Sequence, residues 1–520
     1  MPSISTPLEK AQLALSSNTS VEEKILALTA FSTSLGDQVQ ADEAQAILSV
    51  LPLSLLYGTL NHCVEHDYDD TSHDHLPNVL CDLIRKLLGP FPYSVVSQGE
   101  NRMYLEQGLQ HFTPSIRYLS LQQVEKCLNS PLDTVAMIQS DFLPMVSTTV
   151  AFQDSRTAFK AVDILYKACL SDIGSESFFQ SSAIQLLQSI MQINGTVGFR
   201  VYDLMMKIAG YSDRNFELCE SSGILNQFME ELNTNDLLLR MNAIELLNEV
   251  AASPSGLQFL IKAHLMNKLV ETLDIDDDSD VAVALTKCAV IKFFGSLGAN
   301  KEVNFTNAQQ QFHIIERLEK CIDSDNKEIE TVSLAAVGLI GSHLNGLQLV
   351  QSNNSLMANF FGIARTASGD TKAVVLQSLS KMIGISDSEE TFEQVEQRTS
   401  AIYPSIPEFP NVIKGITALA KLPVDNIRVA AFAVLEAIAT RQWGRQEMAR
   451  NFEFLGYLLD RSNESTQIGQ MWKYAIVKTL VETGSNAESI LGRHYSMLTQ
   501  YIRQGPYYRA GQVTMAMESG

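Results

Sequence analysis

The sequence predicts an all-α protein built from helical repeats. In residues 236–273 a polar start leads into apolar residues at the 3.6-residue spacing of a helix, and a Ser-Pro-Ser-Gly turn precedes a second apolar run, which together predict a helical hairpin. The pattern returns at residues 325 and 425, and Gly256, Gly346 and Gly444 occupy the same slot in the three copies. Successive copies begin 89 and 100 residues apart, each about two periods of an array whose unit is about 40 to 47 residues. The predicted fold is therefore an armadillo/HEAT-like solenoid, an alpha-alpha superhelix of about eleven repeats.

Composition is typical of a folded array and restricts its partners. A chain of 520 residues is too long for one compact core, and its 45% hydrophobic residues can bury a continuous one. The net charge of -21, with 38 basic against 59 acidic residues, argues against nucleic acid or an anionic membrane surface as partner, because such surfaces are bound by clustered Lys and Arg. The seven cysteines form no CxxC pair and the N-terminus lacks a signal-peptide pattern. We therefore expect a cytoplasmic protein, with the nucleus as a second location left open.

The N-terminal part of the chain predicts one hairpin and one loop. Residues 20–35 and 43–61 predict the first two helices, with Thr19 or Ser20 as the N-cap of the earlier one. An acidic, His-rich loop follows near residues 62–75. The later repeats are then predicted to begin near His75, Pro114, Ser155, Val197, Asp236, Ser279, Asn326, Lys372, Asn426 and Gln467.

The C-terminal half contains one long segment and an aromatic tail. The segment near residues 387–410 is acidic and interrupted by proline, and it predicts a projecting loop rather than a domain boundary. Since no linker is apparent, residues 1–520 are predicted to form a single continuous solenoid. In the tail, Tyr507 and Tyr508 follow Pro506. They either anchor a partner or cap the last repeat.

A partner-binding strip is predicted on the concave face. In armadillo-like and HEAT-like units, the helix that follows the polar turn lines this face, and its exposed positions four residues apart carry acids and lysines. Alternating charges of this kind orient a folded partner, although an acid and a lysine at i and i+4 also form an ordinary helix-stabilising pair. Importin-like armadillo proteins place Trp and Asn there to clamp a basic peptide, and this chain has neither, which argues against a nuclear-import adaptor. The predicted strip consists of Asp163, Lys167, Asp203, Lys207, Glu245 and Glu249.

One sequence pattern points to metal chemistry. His62, Glu65 and His66 match the H-x-x-E-H signature of inverted zinc peptidases, in which two histidines one turn apart bind zinc and the glutamate acts as base. The pattern lies at the end of a repeat helix, next to an acidic loop, and no third-ligand helix follows. A solvated loop is the favoured interpretation, adventitious metal binding by this His-rich tract is the second, and zinc catalysis is a remote alternative. We expect no cofactor, no metal and no enzymatic activity.

Five stretches carry a resemblance to a known family. They are FRVYDLMMKI at 199–208, KFFGSLG at 292–298, AVGLIGSHLNGLQLV at 336–350, LDRS at 459–462 and QGPYYR at 504–509. In their order and spacing, across nearly the full length, they resemble the proteasome non-ATPase regulatory subunit 5 family. These are structural rather than catalytic motifs, and it is their collinearity that identifies the family.

The resemblance implies a function and a set of partners. It implies a chaperone for assembly of the base of the 26S proteasome regulatory particle, which binds the C-terminal domain of regulatory ATPase subunit 7. It also implies an assembly intermediate with regulatory ATPase subunit 4 and non-ATPase subunit 2, from which the chaperone is released before maturation. We expect a monomer on its own. A generic armadillo-type scaffold or adaptor remains the alternative.

Overall fold

The computed structural model describes residues 6–16, 19–36, 38–66, 75–232, 234, 236–386, 388, 390–483 and 487–508, and every regular element in these residues is a helix. The chain divides into two compact units, Met1–Glu230 and Glu231–Gly520. Each unit has its own apolar core. The prediction of one continuous solenoid over residues 1–520 stays a prediction.

Helices of the first unit begin near the N-terminus and continue to the boundary with the second. A 3-10 helix, Glu125–Asn129, follows the eighth directly. The α-helices are α1 (Pro7–Ser16), α2 (Val21–Ser34), α3 (Ala41–Val50), α4 (Leu53–His66), α5 (His75–Leu88), α6 (Tyr93–Val96), α7 (Gly99–Gln110), α8 (Pro114–Val124), α9 (Pro131–Ile138), α10 (Phe142–Thr149), α11 (Ser155–Ala168), α12 (Asp172–Gln180), α13 (Ala183–Ile190), α14 (Gly195–Tyr211), α15 (Asp213–Ser221) and α16 (Ile224–Glu231).

Helices of the second unit continue the series, with short 3-10 helices at Tyr403–Ser405, Arg461–Asn463 and Gly492–His494. The α-helices are α17 (Leu237–Val250), α18 (Pro254–Lys262), α19 (Leu265–Leu273), α20 (Val281–Ala299), α21 (Phe305–Phe312), α22 (Ile314–Ile322), α23 (Lys327–Ile340), α24 (Leu344–Ser352), α25 (Asn354–Thr366), α26 (Gly369–Ile383), α27 (Phe392–Ser400), α28 (Val412–Ala420), α29 (Asp425–Thr440), α30 (Gln442–Arg450), α31 (Phe452–Leu459), α32 (Gln467–Glu482), α33 (Ala487–Leu491) and α34 (Tyr495–Gln504).

The described helices from α2 to α34 fall into eleven groups of three. Each group starts with a leading helix, which from α5 onward is the longest of its three, and two further helices follow. Within each unit the leading helices pack side by side: α2, α5, α8, α11 and α14 in the first, and α17, α20, α23, α26, α29 and α32 in the second. The predicted all-α armadillo/HEAT-like fold is confirmed, and the ten predicted repeat starts lie within three residues of the observed helix starts.

Side-chain caps explain why the leading helices begin where the sequence predicted. Asp236 accepts hydrogen bonds from the backbone N–H groups of Leu238 and Leu239, at 2.9 and 3.1 Å. Asp280 and Asn326 cap α20 and α23 in the same way. Such a cap satisfies N–H groups that have no partner within the helix. Ser20 caps α2 by accepting from the N–H of Glu23, as one of the two predicted alternatives.

The predicted hairpins are wrong in one respect, because the second apolar run of each repeat forms two helices. In the copy at residues 236–273, His264 separates α18 from α19, and its backbone is left-handed with φ 58°. His313 (φ 48°) separates α21 from α22 in the next repeat. In the first repeat the break falls at Pro52, where proline cannot donate the backbone hydrogen bond of a continuing helix. The repeat unit is therefore a three-helix, armadillo-type unit.

The long segment near residues 387–410 is not a projecting loop. Its described residues contain α27 and a 3-10 turn, and Val395, Thr399 and Ile402 are buried. These residues recur at i, i+4 and i+7, so they lie on one buried side of α27 and the turn that follows it, within an otherwise acidic segment. The segment supplies the second helix of its repeat.

Helix α20 has the length and composition of a membrane span, as does the bent pair α3 and α4 if counted together. In α20, 61% of the apolar stretch is buried inside the protein, and the helix packs between α17 and α23. Burial by neighbouring helices on both sides is the arrangement of a core helix.

Candidate functional site

The structure divides the predicted strip between the two units. Asp163 and Lys167 lie on α11, and Asp203 and Lys207 lie on α14. These two leading helices pack side by side in the first unit. The remaining two residues, on α17, belong to the second unit. The structure thus brings the first four residues onto neighbouring helices.

On α11 the two predicted residues pair with each other. The Lys167 ammonium lies 2.8 Å from the Asp163 carboxylate, and this hydrogen bond raises the pKa of Lys167. Lys167 also lies 3.8 Å from Glu125, which forms a closer pair with Lys160 at 2.6 Å. Two lysines and two acids therefore form a partly exposed network without net charge. Glu125 follows α8, and Lys160, Asp163 and Lys167 lie on α11 of the next repeat.

On α14 the same geometry recurs. The Lys207 ammonium lies 2.8 Å from the Asp203 carboxylate, and both side chains remain partly exposed. Internal pairing is what an ordinary i, i+4 helix pair would show. It also presents a fixed dipole to the solvent, because each lysine is held toward the C-terminal end of its helix. The geometry is compatible with both interpretations.

On α17 the acids stay unneutralised. Glu245 and Glu249 are exposed, and among the described residues no cation forms an ion pair with either carboxylate. Two like charges one turn apart destabilise a helix slightly. Their unbalanced negative charge would attract a basic group on a partner. The acid–lysine pairs of the first unit carry no net charge and lack this attraction.

A row of aromatic side chains, which the sequence analysis missed, lies one helical turn before the charged pairs. Phe159 and Phe199 each precede the acid of their helix by four residues, and Tyr118 lies on the neighbouring helix α8. Two of the rings are each covered by an arginine from the following repeat: the Arg156 guanidinium carbon lies 4.3 Å from the ring centre of Tyr118, and that of Arg200 lies 5.7 Å from the ring centre of Phe159. Phe159 is 52% exposed. Extending the repeat frame by one turn would have found this row.

One arginine in the 3-10 helix just before the last repeat holds the C-terminal tail. Arg461 donates hydrogen bonds to the backbone oxygens of Tyr501, Gly505 and Pro506, at 3.1, 2.8 and 3.0 Å. Its guanidinium carbon also lies 3.8 Å from the ring centre of Tyr501. Two of the quoted stretches, LDRS and QGPYYR, therefore meet here. Tyr507 and Tyr508 remain 54% and 43% exposed, so the tail packs on the last repeat and still presents two rings.

The zinc-peptidase pattern remains a prediction. Helix α4 extends to His66 and the His62 side chain is exposed, but the side chains of Glu65 and His66 and the adjoining residues 67–74 lie outside the described residues. In the part of the chain that the structure describes, no three His, Cys, Asp or Glu side chains are grouped as metal ligands. Burial raises the pKa of the Cys81 and Cys127 thiols to about 12, so these thiols stay protonated at neutral pH.

Comparison with protein families gives one match over nearly the whole chain. A family model described as "Proteasome non-ATPase 26S subunit" matches residues 9–520. The human 26S proteasome non-ATPase regulatory subunit 5 is 26% identical over 424 residues, which is 80% of this chain and 83% of that protein. The Drosophila melanogaster protein of the same name is 21% identical over 516 residues, 95% of each chain.

Comparison with solved structures concerns the fold alone. Yeast importin-β (Kap95p) aligns with a TM-score of 0.59 at 11% identity, over 96% of this chain and 66% of that one. Kap95p in a structure with RanGDP aligns with a TM-score of 0.53 at 11% identity, over 95% of this chain and 66% of that one. Both are HEAT-repeat solenoids.

Proposed function

This chain belongs to the proteasome non-ATPase 26S subunit family, and on that premise we propose that it is a non-catalytic chaperone for assembly of the base of the proteasome regulatory particle. Its proposed partner is the C-terminal domain of regulatory ATPase subunit 7. The proposed assembly intermediate also contains regulatory ATPase subunit 4 and non-ATPase subunit 2. The chaperone leaves before the particle matures.

The observation that carries the proposal is the face formed by α8, α11 and α14 in the first unit. It combines an exposed aromatic ring, Phe159, with balanced ion pairs on neighbouring helices. Exposed aromatic residues supply much of the binding energy at protein interfaces, and alternating charges orient the partner and exclude wrong ones. A face of this composition suits a folded domain better than a strongly basic peptide, which would require an excess of acids.

The mechanism is occlusion followed by release. A bound chaperone covers part of the ATPase domain, so that incorrect neighbours are excluded by steric overlap until the correct module docks. This role needs no nucleophile, acid or base. The unpaired acids Glu245 and Glu249 in the second unit are a separate contact in this proposal, and they select a basic group on the partner.

Exchanging the charges of the α14 pair tests the proposal. Asp203→Lys alone places two cations one turn apart, whereas Asp203→Lys with Lys207→Glu restores an internal pair of reversed polarity. If the pair contacts the ATPase domain, both variants bind it roughly tenfold more weakly or worse, because the partner meets the wrong charge at position 203 in both variants and also at position 207 in the double variant. The Kd is measured by titration calorimetry with the isolated C-terminal domain of ATPase subunit 7.

Two controls separate binding from helix stability. Lys478 and Glu482 form a partly exposed i, i+4 pair on α32, and exchanging their charges is expected to leave the Kd unchanged. The α14 variants are expected to lose only a few tenths of a kcal/mol of stability. If the double variant recovers wild-type affinity, the α14 pair only stabilises its own helix and does not belong to the interface.

A further inference from the structure

A cavity of about 620 Å³ lies in the second unit, between α25, α26 and the segment that leads into α28. Its floor is apolar and buried, and consists of Val375, Leu379, Ile406 and Ile416. The volume falls in the range of about 300 to 1,000 Å³ that is usual for ligand sites. It is separate from the strip and from the tail.

Three cations surround this floor. Lys372 is half-buried and donates one hydrogen bond, at 2.7 Å to the backbone oxygen of Ala364, which leaves two of its three donors available. Arg365 is exposed and makes no hydrogen bond or ion pair with the described residues. Lys414 is also exposed, and its nearest carboxylate, on Glu453, is 3.8 Å away. In a chain with a net charge of -21, three neighbouring cations with so few hydrogen-bond and ion-pair partners are unusual.

One acid, Glu408, also lines the cavity. Its backbone is left-handed with φ 71°, a conformation that costs free energy in a residue other than glycine. Two contacts hold it there: its carbonyl accepts a 2.6 Å hydrogen bond from the N–H of Asn411, and its side chain passes over Gly415, where an added Cβ would lie 2.6 Å from its Cγ. Glu408 acts electrostatically on Lys372, raising the pKa that burial lowers. The repeat therefore keeps a strained acid at the rim.

We infer that this cavity binds a peptide segment of a partner protein in which an apolar side chain stands next to a carboxylate. The apolar side chain fills the floor, and the carboxylate pairs with Lys372, Arg365 and Lys414 through charge-assisted hydrogen bonds. Glu408 accepts a hydrogen bond from a backbone N–H of the peptide. With Glu408 and the Glu453 carboxylate beside Lys414 both counted against the three cations, the site carries one net positive charge, which a single carboxylate balances. A phosphate group carries about two negative charges and would leave an excess negative charge next to Glu408. The inference goes beyond the proposed function and does not depend on it.

The test uses the full-length chain with isotope-labelled isoleucine δ1 methyl groups, because Ile406 and Ile416 both line the floor. The probe is the peptide acetyl-Leu-Phe-Glu-amide, which we expect to shift these two methyl signals in a saturable way. The matched peptide acetyl-Leu-Phe-Gln-amide lacks the carboxylate and is expected to bind roughly tenfold more weakly or worse. Acetyl-Leu-Phe-Gln with a free C-terminus shows whether the carboxylate of a chain end serves as well as that of a side chain.

Variants of the site distinguish charge recognition from apolar contact. Arg365→Gln with Lys414→Gln is expected to weaken binding of the Glu peptide roughly tenfold while leaving the fold intact, since both side chains are exposed. Leu419→Trp, at a half-buried lining position, should block the floor without changing charge. Lys478→Gln on α32 serves as the control. Equal binding of the Glu and Gln amides, or no saturable shift of Ile406 and Ile416 up to about 10 mM peptide, would overturn the inference.

Discussion

Replacing Gly346 with alanine is expected to lower the free energy of unfolding of the second unit by about 3 kcal/mol or more. Gly346 is the third residue of α24, and its N–H donates to the capping His343 Nδ1 at 2.9 Å. An added Cβ would overlap the backbone oxygen of Ile340, the last residue of α23. A backbone oxygen at the end of a packed helix cannot move aside as a flexible side chain can, so the two helices must separate.

The same contact recurs in other repeats, which makes it a property of the repeat unit. An added Cβ at Gly174, Gly256 or Gly444 would overlap the backbone oxygen of the residue six positions earlier, Ala168, Val250 or Ile438. In each case the oxygen lies at the end of the leading helix and the glycine lies in the next helix. Glycine at this slot allows the sharp turn between the two.

The measurement is denaturant unfolding followed by tryptophan fluorescence. Both tryptophans of the chain, Trp443 and Trp472, lie in the second unit, so their emission reports on the unit that contains Gly346. Gly362→Ala is the matched control: it lies within α25 and an added Cβ meets open space, so a gain of up to about 1 kcal/mol is expected. Equal stability of Gly346→Ala and the wild type would show that the close approach is not a constraint.

The second large effect is a pH dependence that Lys473 creates. The stability of the wild type relative to Lys473→Met is expected to rise by about 2 kcal/mol between pH 7 and pH 9.5. Lys473 is 1% exposed, and burial lowers its pKa to about 8. Its ammonium donates to the backbone oxygen of Asp460 and, at 2.6 Å, to Asn463 Oδ1, but these contacts do not replace full hydration.

The sign follows from which state binds the proton. Below pH 8 the lysine is protonated in both states, so folding carries the whole cost of burying the charge. Between the folded pKa of about 8 and the unfolded value near 10.4, only the unfolded state stays protonated, and stability rises with pH by about 1.4 kcal/mol per unit. The charges that act on Lys473 are Asp460 and Glu464, which raise its pKa, and Arg461 and Lys421, which lower it.

The difference in stability between the wild type and Lys473→Met isolates the contribution of this lysine to the pH dependence. The buried cysteines, whose raised pKa values lower stability above pH 9, are present in both proteins and cancel in the difference. Lys478→Met, on the same helix but exposed, is expected to show no such slope. A difference between the wild type and Lys473→Met that stays constant from pH 7 to pH 9.5 would contradict the effect of burial on this group.

Features set by local chemistry could be predicted from the sequence. The Asp and Asn residues that cap the leading helices indicated where these helices begin. The recurrence of Gly256, Gly346 and Gly444 marked equivalent turns, and the structure shows that a side chain at these positions would overlap a backbone oxygen. The number of helices per repeat could not be predicted, because His264 and His313 break their helices without the glycine or proline that usually marks such a point. The helix in residues 387–410 was missed because its apolar positions are few and its acids dominate the composition.

The candidate site was predicted in part. The sequence frame placed Asp163, Lys167, Asp203 and Lys207 on adjacent helices, and the structure shows them there. The sequence could not show that the acid and the lysine of each helix form an ion pair with each other, since that depends on side-chain rotamers. The aromatic row around Phe159 escaped notice because an isolated aromatic residue at helical spacing usually belongs to a core. The functional role of the strip stays a prediction.

The measurement that tests the central proposal most directly is titration calorimetry of the full-length chain with the isolated C-terminal domain of regulatory ATPase subunit 7. The C-terminal domains of the other regulatory ATPases are the controls. The chaperone proposal predicts tight one-to-one binding to the subunit 7 domain alone, weakened roughly tenfold or more when the charges of Asp203 and Lys207 are exchanged. Absence of binding, or equal binding to every ATPase domain, would contradict it and would favour a generic scaffold with another partner.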